Sequence, residues 1–114
     1  MRVLVVDDDP DVVDTLCGLV ELLGHEAASA TDGFTALDRF CRGGCDVVIV
    51  DLLMPDMNGL ELIRHLRVLD PDAQIVALTG THLDLDEALG TYGVRLLRKP
   101  IMTTAEAGEL LAGR

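Results

Sequence analysis

Apolar and polar residues follow one another along this chain in blocks of two kinds. Short β-branched runs alternate with longer stretches whose apolar residues recur every three or four positions. Val3 to Val6 is the first short run, and it ends in Asp7-Asp8-Asp9-Pro10. The strongest lies within Asp46 to Gly59, DVVIVDLLMPDMNG, where Val47, Val48, Ile49 and Val50 lead straight into Asp51. A wholly apolar, β-branched run without polar alternation predicts a strand covered on both faces, as in a parallel sheet. Glu26 to Ala30 is smaller and half-polar, which suits an edge strand. Gln74 to Leu78, ending at Thr79-Gly80, and Val94 to Leu97, ending at Arg98-Lys99-Pro100, complete a set of five.

The intervening stretches read as helices. Pro10 suits a first helical turn, with Asp9 as its cap and Asp11 favoured near the positive end of the dipole. Val12, Val13, Leu16, Val20 and Leu23 then recur at helical spacing, with Cys17 packed on the same face and Gly24 closing the run. His25, at the turn, reads as a solvated residue. After the Thr31-Asp32-Gly33 turn, Phe34, Leu37, Phe40 and Cys41 mark a second helix, stopped by Gly43-Gly44. Asp56 to Gly59 reads as a turn before a third helix bearing Leu60, Ile63, Leu66 and Val68 or Leu69, broken at Asp70-Pro71. Leu83 to Leu89 makes a short fourth helix ended by Tyr92-Gly93, and Thr103 or Thr104 caps a last one through Leu111. This alternation predicts an α/β fold, a doubly wound parallel sheet with helices on both faces, formed by one domain over residues 1–114.

Composition narrows the chemistry. Only 3% of the 114 residues are aromatic against 49% hydrophobic, so the core is aliphatic. The net charge of −11 argues against direct nucleic-acid binding, since no basic stripe offsets 20 acidic residues. A metal cation or a basic partner face is the more natural counterpart. Arg2 is followed by four apolar residues and then three carboxylates, which is no secretory signal, and no apolar run reaches membrane-spanning length. Cys17, Cys41 and Cys45 are sparse and have no neighbouring His to complete a zinc set, so reduced thiols and a cytoplasmic setting are expected.

Four of the five strands carry polar residues at their C-terminal ends: Asp7 and Asp8, Asp51, Thr79, Lys99. In open α/β sheets that edge is where ligands bind. Two carboxylates about 4 Å apart repel by roughly 4 kcal/mol at an effective dielectric near 20, and domain stability is only about 5–15 kcal/mol. Three carboxylates at one edge therefore call for a compensating charge. Lys99 offers one, and a hard divalent cation offers more, because Mg²⁺ prefers a few carboxylates plus waters and phosphate oxygens. A carboxylate nucleophile, a cation, a hydroxyl and an ammonium together suit phosphoryl transfer.

With those residues in place, the chain resembles the response-regulator receiver domain of two-component signalling along essentially its whole length. The matching motifs are VLVVDDDP, VVIVDLLMPDMNG, ALTG and RKP, in that order and each at a strand end. The resemblance implies a flavodoxin-like, five-stranded parallel sheet of order 2-1-3-4-5. It implies that Asp51 accepts a phosphoryl group from a phosphohistidine on a histidine kinase or phosphotransfer protein. Asp8 and Asp51 would bind Mg²⁺ (or Mn²⁺) directly with the backbone carbonyl of Leu53, and Asp7 would assist through water. Thr79 and Lys99 would each hold a phosphoryl oxygen. The face made by the fourth helix, the fifth strand and the last helix would then report to an output domain or downstream protein, or form a homodimer. Such a domain is no enzyme beyond its own phosphorylation and dephosphorylation, and involves neither membrane nor direct nucleic-acid contact. It reads as stand-alone or as the front piece of a longer regulator.

Three positions depart from the family pattern. Leu96 stands where a Tyr or Phe usually moves with the Thr79 position as a switch, Ile101 stands for a common Phe, and the span from Thr79 to Lys99 is about two residues short. A phosphorylation-independent binding module on the same fold is therefore an alternative. A remoter one is a haloacid-dehalogenase-type phosphatase, whose Asp-x-Asp Asp7-Asp8-Asp9 satisfies, with Asp7 as nucleophile. That motif wants Thr or Val where this chain has Asp11.

Overall fold

The computed structural model describes residues 1–52, 54, 57–80, 90, 92–98 and 103–111. Five parallel strands, β1 (Arg2–Val6), β2 (Glu26–Ala30), β3 (Val47–Asp51), β4 (Gln74–Thr79) and β5 (Arg95–Arg98), lie in the order β2-β1-β3-β4-β5. Four helices accompany them among the described residues: α1 (Pro10–Leu22), α2 (Gly33–Gly43), α3 (Gly59–Leu69) and α4 (Thr104–Leu111). The expected fold class and strand order both hold. The fourth helix expected over Leu83 to Leu89 lies outside the described residues.

Successive strand residues point to opposite faces, and both faces are covered, which is why the inner strands read as unbroken apolar runs. Leu4, Val48 and Ile75 belong to one buried cluster, with Leu62 and Leu66 of α3 and Phe40 of α2. Val3, Val5, Ile49 and Val76 belong to the other, with Leu16 and Val20 of α1 and Leu111 of α4. β2 is an edge strand and only its last residue, Ala30, is buried.

The helix boundaries follow local chemistry. Asp9 caps α1, its side chain accepting the N–H of Asp11 at 2.9 Å, and Pro10 occupies the first turn. Gly24, at φ +88°, turns the chain after α1 and donates to the carbonyl of Glu21 at 2.9 Å. Thr103, of the two threonines considered, caps α4: its Oγ1 accepts the N–H of Glu106 at 3.2 Å and donates to Glu106 Oε1 at 3.1 Å.

The structure corrects several expectations. Phe34 is 65% exposed and Cys41 is exposed, so the buried face of α2 is Gly33, Ala36 and Phe40, with Leu37 partly covered. On α3 the buried residues are Gly59, Leu62, Ile63 and Leu66, while Val68 is 83% exposed and Leu69 51%. Gly59 is the first residue of α3 rather than part of the turn, because Asn58 caps the helix by accepting the N–H of Glu61 at 2.9 Å. β5 starts one residue later than expected, at Arg95. His25 is half-buried, its Nδ1 lying 3.0 Å from the amino group of Met1.

Candidate functional site at the carboxyl edge of the sheet

The chain leaves β1 toward β2 on one side and returns to β3 on the other, so a crevice opens beyond the C-terminal ends of β1 and β3. Val6 faces Val50 across that pair, which puts Asp7 and Asp51 one step further on as neighbours on adjacent strands. Asp51 in turn faces Leu78 of β4, and Thr79 is the next residue along. Three strands therefore deliver Asp7, Asp51 and Thr79 to one place because each apolar run stops at the same level.

Oxygen atoms of Asp7, Asp8 and Asp51 all lie within 4.8 Å of one another. Among the described residues this is the one group of three such side chains close enough to share a metal ion. Asp7 is 1% exposed, Asp51 5% and Thr79 2%, whereas Asp8 is exposed and forms the solvent side of the group. Asp7 is also tied into the backbone. Its N–H donates to the carbonyl of Ala30 at 3.2 Å, and its Oδ1 accepts the N–H of Asp9 at 3.0 Å. One turn thus caps α1 through Asp9 and orients the carboxylate of Asp7.

The donor set fits a hard divalent cation. Oxygens around an octahedral Mg²⁺ at about 2.1 Å stand roughly 3 Å apart when adjacent and about 4.2 Å when opposed. The observed spacing is within a small contraction of that, and three carboxylates in one crevice are the charge and ligand type such an ion takes.

Behind the site, three of the described residues after β3 pack inward. Leu52, Met54 and Met57 are all buried in the cluster that α2 and α3 cover, in line with a packing role for the two methionines. The N–H of Leu52 donates to the carbonyl of Leu78 at 3.0 Å, and its carbonyl accepts the N–H of Gly59 at 3.1 Å. Gly59 is a residue that hydropathy patterning alone passes over. Its only sequence signal is a glycine directly after a capping Asn.

Lys99 and Leu53, two of the expected site residues, lie outside the described residues. Leu96 lies on β5 opposite Ala77 and is partly buried against the same cluster as Tyr92 and Val94. His65 is exposed on α3, and the cysteines are free thiols. Burial pushes the Cys17 thiol above its ordinary pKa, with Glu21 and Asp14 adding to the effect. Burial also raises Cys45, where Asp46 adds and Arg2 opposes.

Residues 3–107 match the response regulator receiver domain family. The sensory transduction protein RegX3 of Mycobacterium bovis is 34% identical over 88 residues, covering 77% of this chain and 38% of that protein. The response regulator MprA of a Mycobacterium species is 39% identical over 80 residues, covering 70% of this chain and 35% of that protein. The chain thus spans well under half the length of the curated relatives it matches. Among solved structures, the response regulator TrrA of Thermotoga maritima in complex with Mg²⁺-BeF is 31% identical at a TM-score of 0.85, covering 97% of this chain and 96% of that one. The chemotaxis protein CheY4 of Vibrio cholerae is 26% identical at a TM-score of 0.89, covering 97% and 95%.

Proposed function

Because this chain belongs to the response regulator receiver domain family, we propose that it takes a phosphoryl group onto Asp51 from a phosphohistidine of a histidine kinase or phosphotransfer protein. The observation that carries this reading is the convergence of Asp7, Asp8 and Asp51 where a fully buried strand surfaces.

A carboxylate oxygen of Asp51 forms the new bond to phosphorus while the bond from phosphorus to the donor's imidazole nitrogen breaks. The imidazole leaves with that electron pair and is protonated in turn. Burial restricts Asp51 to one orientation and limits competing water. Asp8 and Asp51 with the Leu53 carbonyl, and Asp7 through water, would hold Mg²⁺ or Mn²⁺, which would supply positive charge to the transferring group. Thr79 donates its hydroxyl to one phosphoryl oxygen, and the ammonium of Lys99 pairs with another. The same residues assist the return reaction, in which water removes the phosphoryl group, so the chain acts on itself rather than on a released substrate.

Occupancy of Asp51 biases two arrangements of the segments that carry Thr79 and Lys99, because only the inward one lets both reach the added oxygens. An output domain or downstream partner reads that bias, in the cytoplasm, and a homodimer through the same face is one form of output. Asp51→Asn abolishes labelling by acetyl phosphate with Mg²⁺. Labelling retained in that variant overturns the assignment, and a wild-type chain that neither labels nor binds Mg²⁺ is the phosphorylation-independent module instead. The family match over residues 3–107 supports the receiver reading over the phosphatase alternative.

A further inference from the structure

We infer that Gly59 is a positioning residue for the acceptor, with its lack of a side chain setting where the peptide after Asp51 sits; this rests on the phosphoacceptor reading above. A Cβ at this position would stand 2.4 Å from the carbonyl oxygen of Asp51 and 2.5 Å from the Cα of Leu52. Both atoms are backbone, so neither can rotate aside. Ordinary contact requires the start of α3 or the Asp51–Leu52 peptide to move by about 1 Å. No positive φ is involved, so the constraint is the close approach itself.

The approach is built in from two sides. Leu78 accepts the N–H of Leu52 at 3.0 Å, and Gly59 donates to the carbonyl of Leu52 at 3.1 Å, so the peptide is held between the end of β4 and the first turn of α3. α3 itself cannot retreat freely, since Leu62, Ile63 and Leu66 are fully buried against the sheet. Gly80, which follows Thr79 directly, shows the contrast: a Cβ there meets nothing within 4 Å. Gly33 at the same edge is crowded too, but by the side chain of Met57, whereas at Gly59 the crowding atoms are backbone of the acceptor's own peptide. Displacements near 1 Å at a reacting group can cost about a hundredfold in rate.

The test compares Gly59→Ala with Leu62→Ala, a cavity variant on the same helix that loosens α3 and adds no atom near the acceptor peptide. Phosphorylation by acetyl phosphate is followed at saturating Mg²⁺, at a temperature where circular dichroism shows both variants folded. Gly59→Ala lowers the rate constant about ten- to a hundredfold, while Leu62→Ala stays within about threefold of wild type at an equal or greater loss of melting temperature. If Gly59→Ala labels as fast as Leu62→Ala, the inference is overturned while the phosphoacceptor reading stands. If the wild-type chain does not label, that reading fails first. Should Gly59→Ala not fold, the comparison is repeated in the cold with trimethylamine N-oxide, which favours compact states. A variant that stays unfolded there assigns Gly59 to the fold and overturns the narrower role.

Discussion

The Nε of Arg67 lies 2.6 Å from the carbonyl oxygen of Tyr92, which joins the last turn of α3 to the residues just before β5. The same guanidinium donates through Nη2 to the carbonyl of Gly93 at 3.2 Å and through Nη1 to that of Ala73, just before β4. One planar fork thus gathers three carbonyls at the edge of the sheet opposite the carboxylates. Hydrogen bonds from a charged donor are worth about 1.5–3 kcal/mol each where buried, and this group is half-buried, so Arg67→Ala costs about 2–4 kcal/mol in urea unfolding. Arg67→Lys recovers less than half of that, because a single ammonium cannot span the three acceptors. Full recovery by lysine would show that charge, not the fork, matters.

The acidic group makes opposite predictions with and without metal. Asp7 sits beside Asp8 and Asp51 and is buried, so replacing it with the neutral isostere removes repulsion while Oδ1 can still accept the N–H of Asp9. Asp7→Asn is therefore about 1–3 kcal/mol more stable than wild type in a chelator. Added Mg²⁺ raises the wild-type melting temperature by an increment that grows with the logarithm of its concentration above Kd, and in Asp7→Asn the increment is at least halved. Equal increments in the two proteins would place Asp7 outside the ion's surroundings.

Asp32 carries a pH dependence of definite sign. It caps α2, accepting the N–H of Thr35 at 2.7 Å on one oxygen and the Thr35 hydroxyl at 2.8 Å on the other. Those bonds, the backbone one foremost, hold its pKa below the ordinary value of 3.8. A depressed folded-state pKa means the carboxylate's contribution is fully present above 3.8 and is lost as pH falls through the folded value. Asp32→Ala is thus less stable than wild type by about 1 kcal/mol near neutrality, and the gap narrows only below pH 3.8. A gap that changes between neutrality and pH 5 points to another group.

These residues show which parts of the molecule can be read from sequence. The buried strands and their polar ends were legible because two-sided burial leaves an unbroken apolar run, and the run must stop where the sheet does. The face of α1 was legible too, with Val13, Leu16 and Val20 buried as expected. Those of α2 and α3 were legible only in part, because spacing of three and four admits more than one register when apolar residues surround a helix. On α3, Leu60, Leu62, Ile63, Leu66, Val68 and Leu69 offer competing stripes, and contact with the sheet selects the one through Leu62 and Leu66. On α2, hydropathy favours Phe34 and Cys41, yet the face that fits is the one with small residues. Gly33 closes on Met57, to which a Cβ would come within 2.8 Å of Cβ, and Ala36 is wholly buried. Close approach, at Gly33 and again at Gly59, is a property of pairs of elements, so a single stretch of sequence carries no more sign of it than a glycine after a capping residue.

The last prediction concerns Leu96. Its partly buried side chain packs with Tyr92 and Val94 against the cluster that α3 covers, and it faces Ala77, two residues before Thr79. An aliphatic side chain of this size makes a poor swinging lever, since it has no polar end to trade one hydrogen bond for another. Under the phosphoacceptor reading, the expected switch is an ordering of the stretch between Thr79 and β5 around the added oxygens, without a rotating aromatic. Amide exchange across residues 80–98 slows when Mg²⁺ and beryllofluoride are added, and Leu96→Ala changes that protection by less than Thr79→Ala does. Unchanged exchange throughout 80–98 in a protein that has bound beryllofluoride would leave ordering without a role, because a switch must distinguish its two states somewhere along that path.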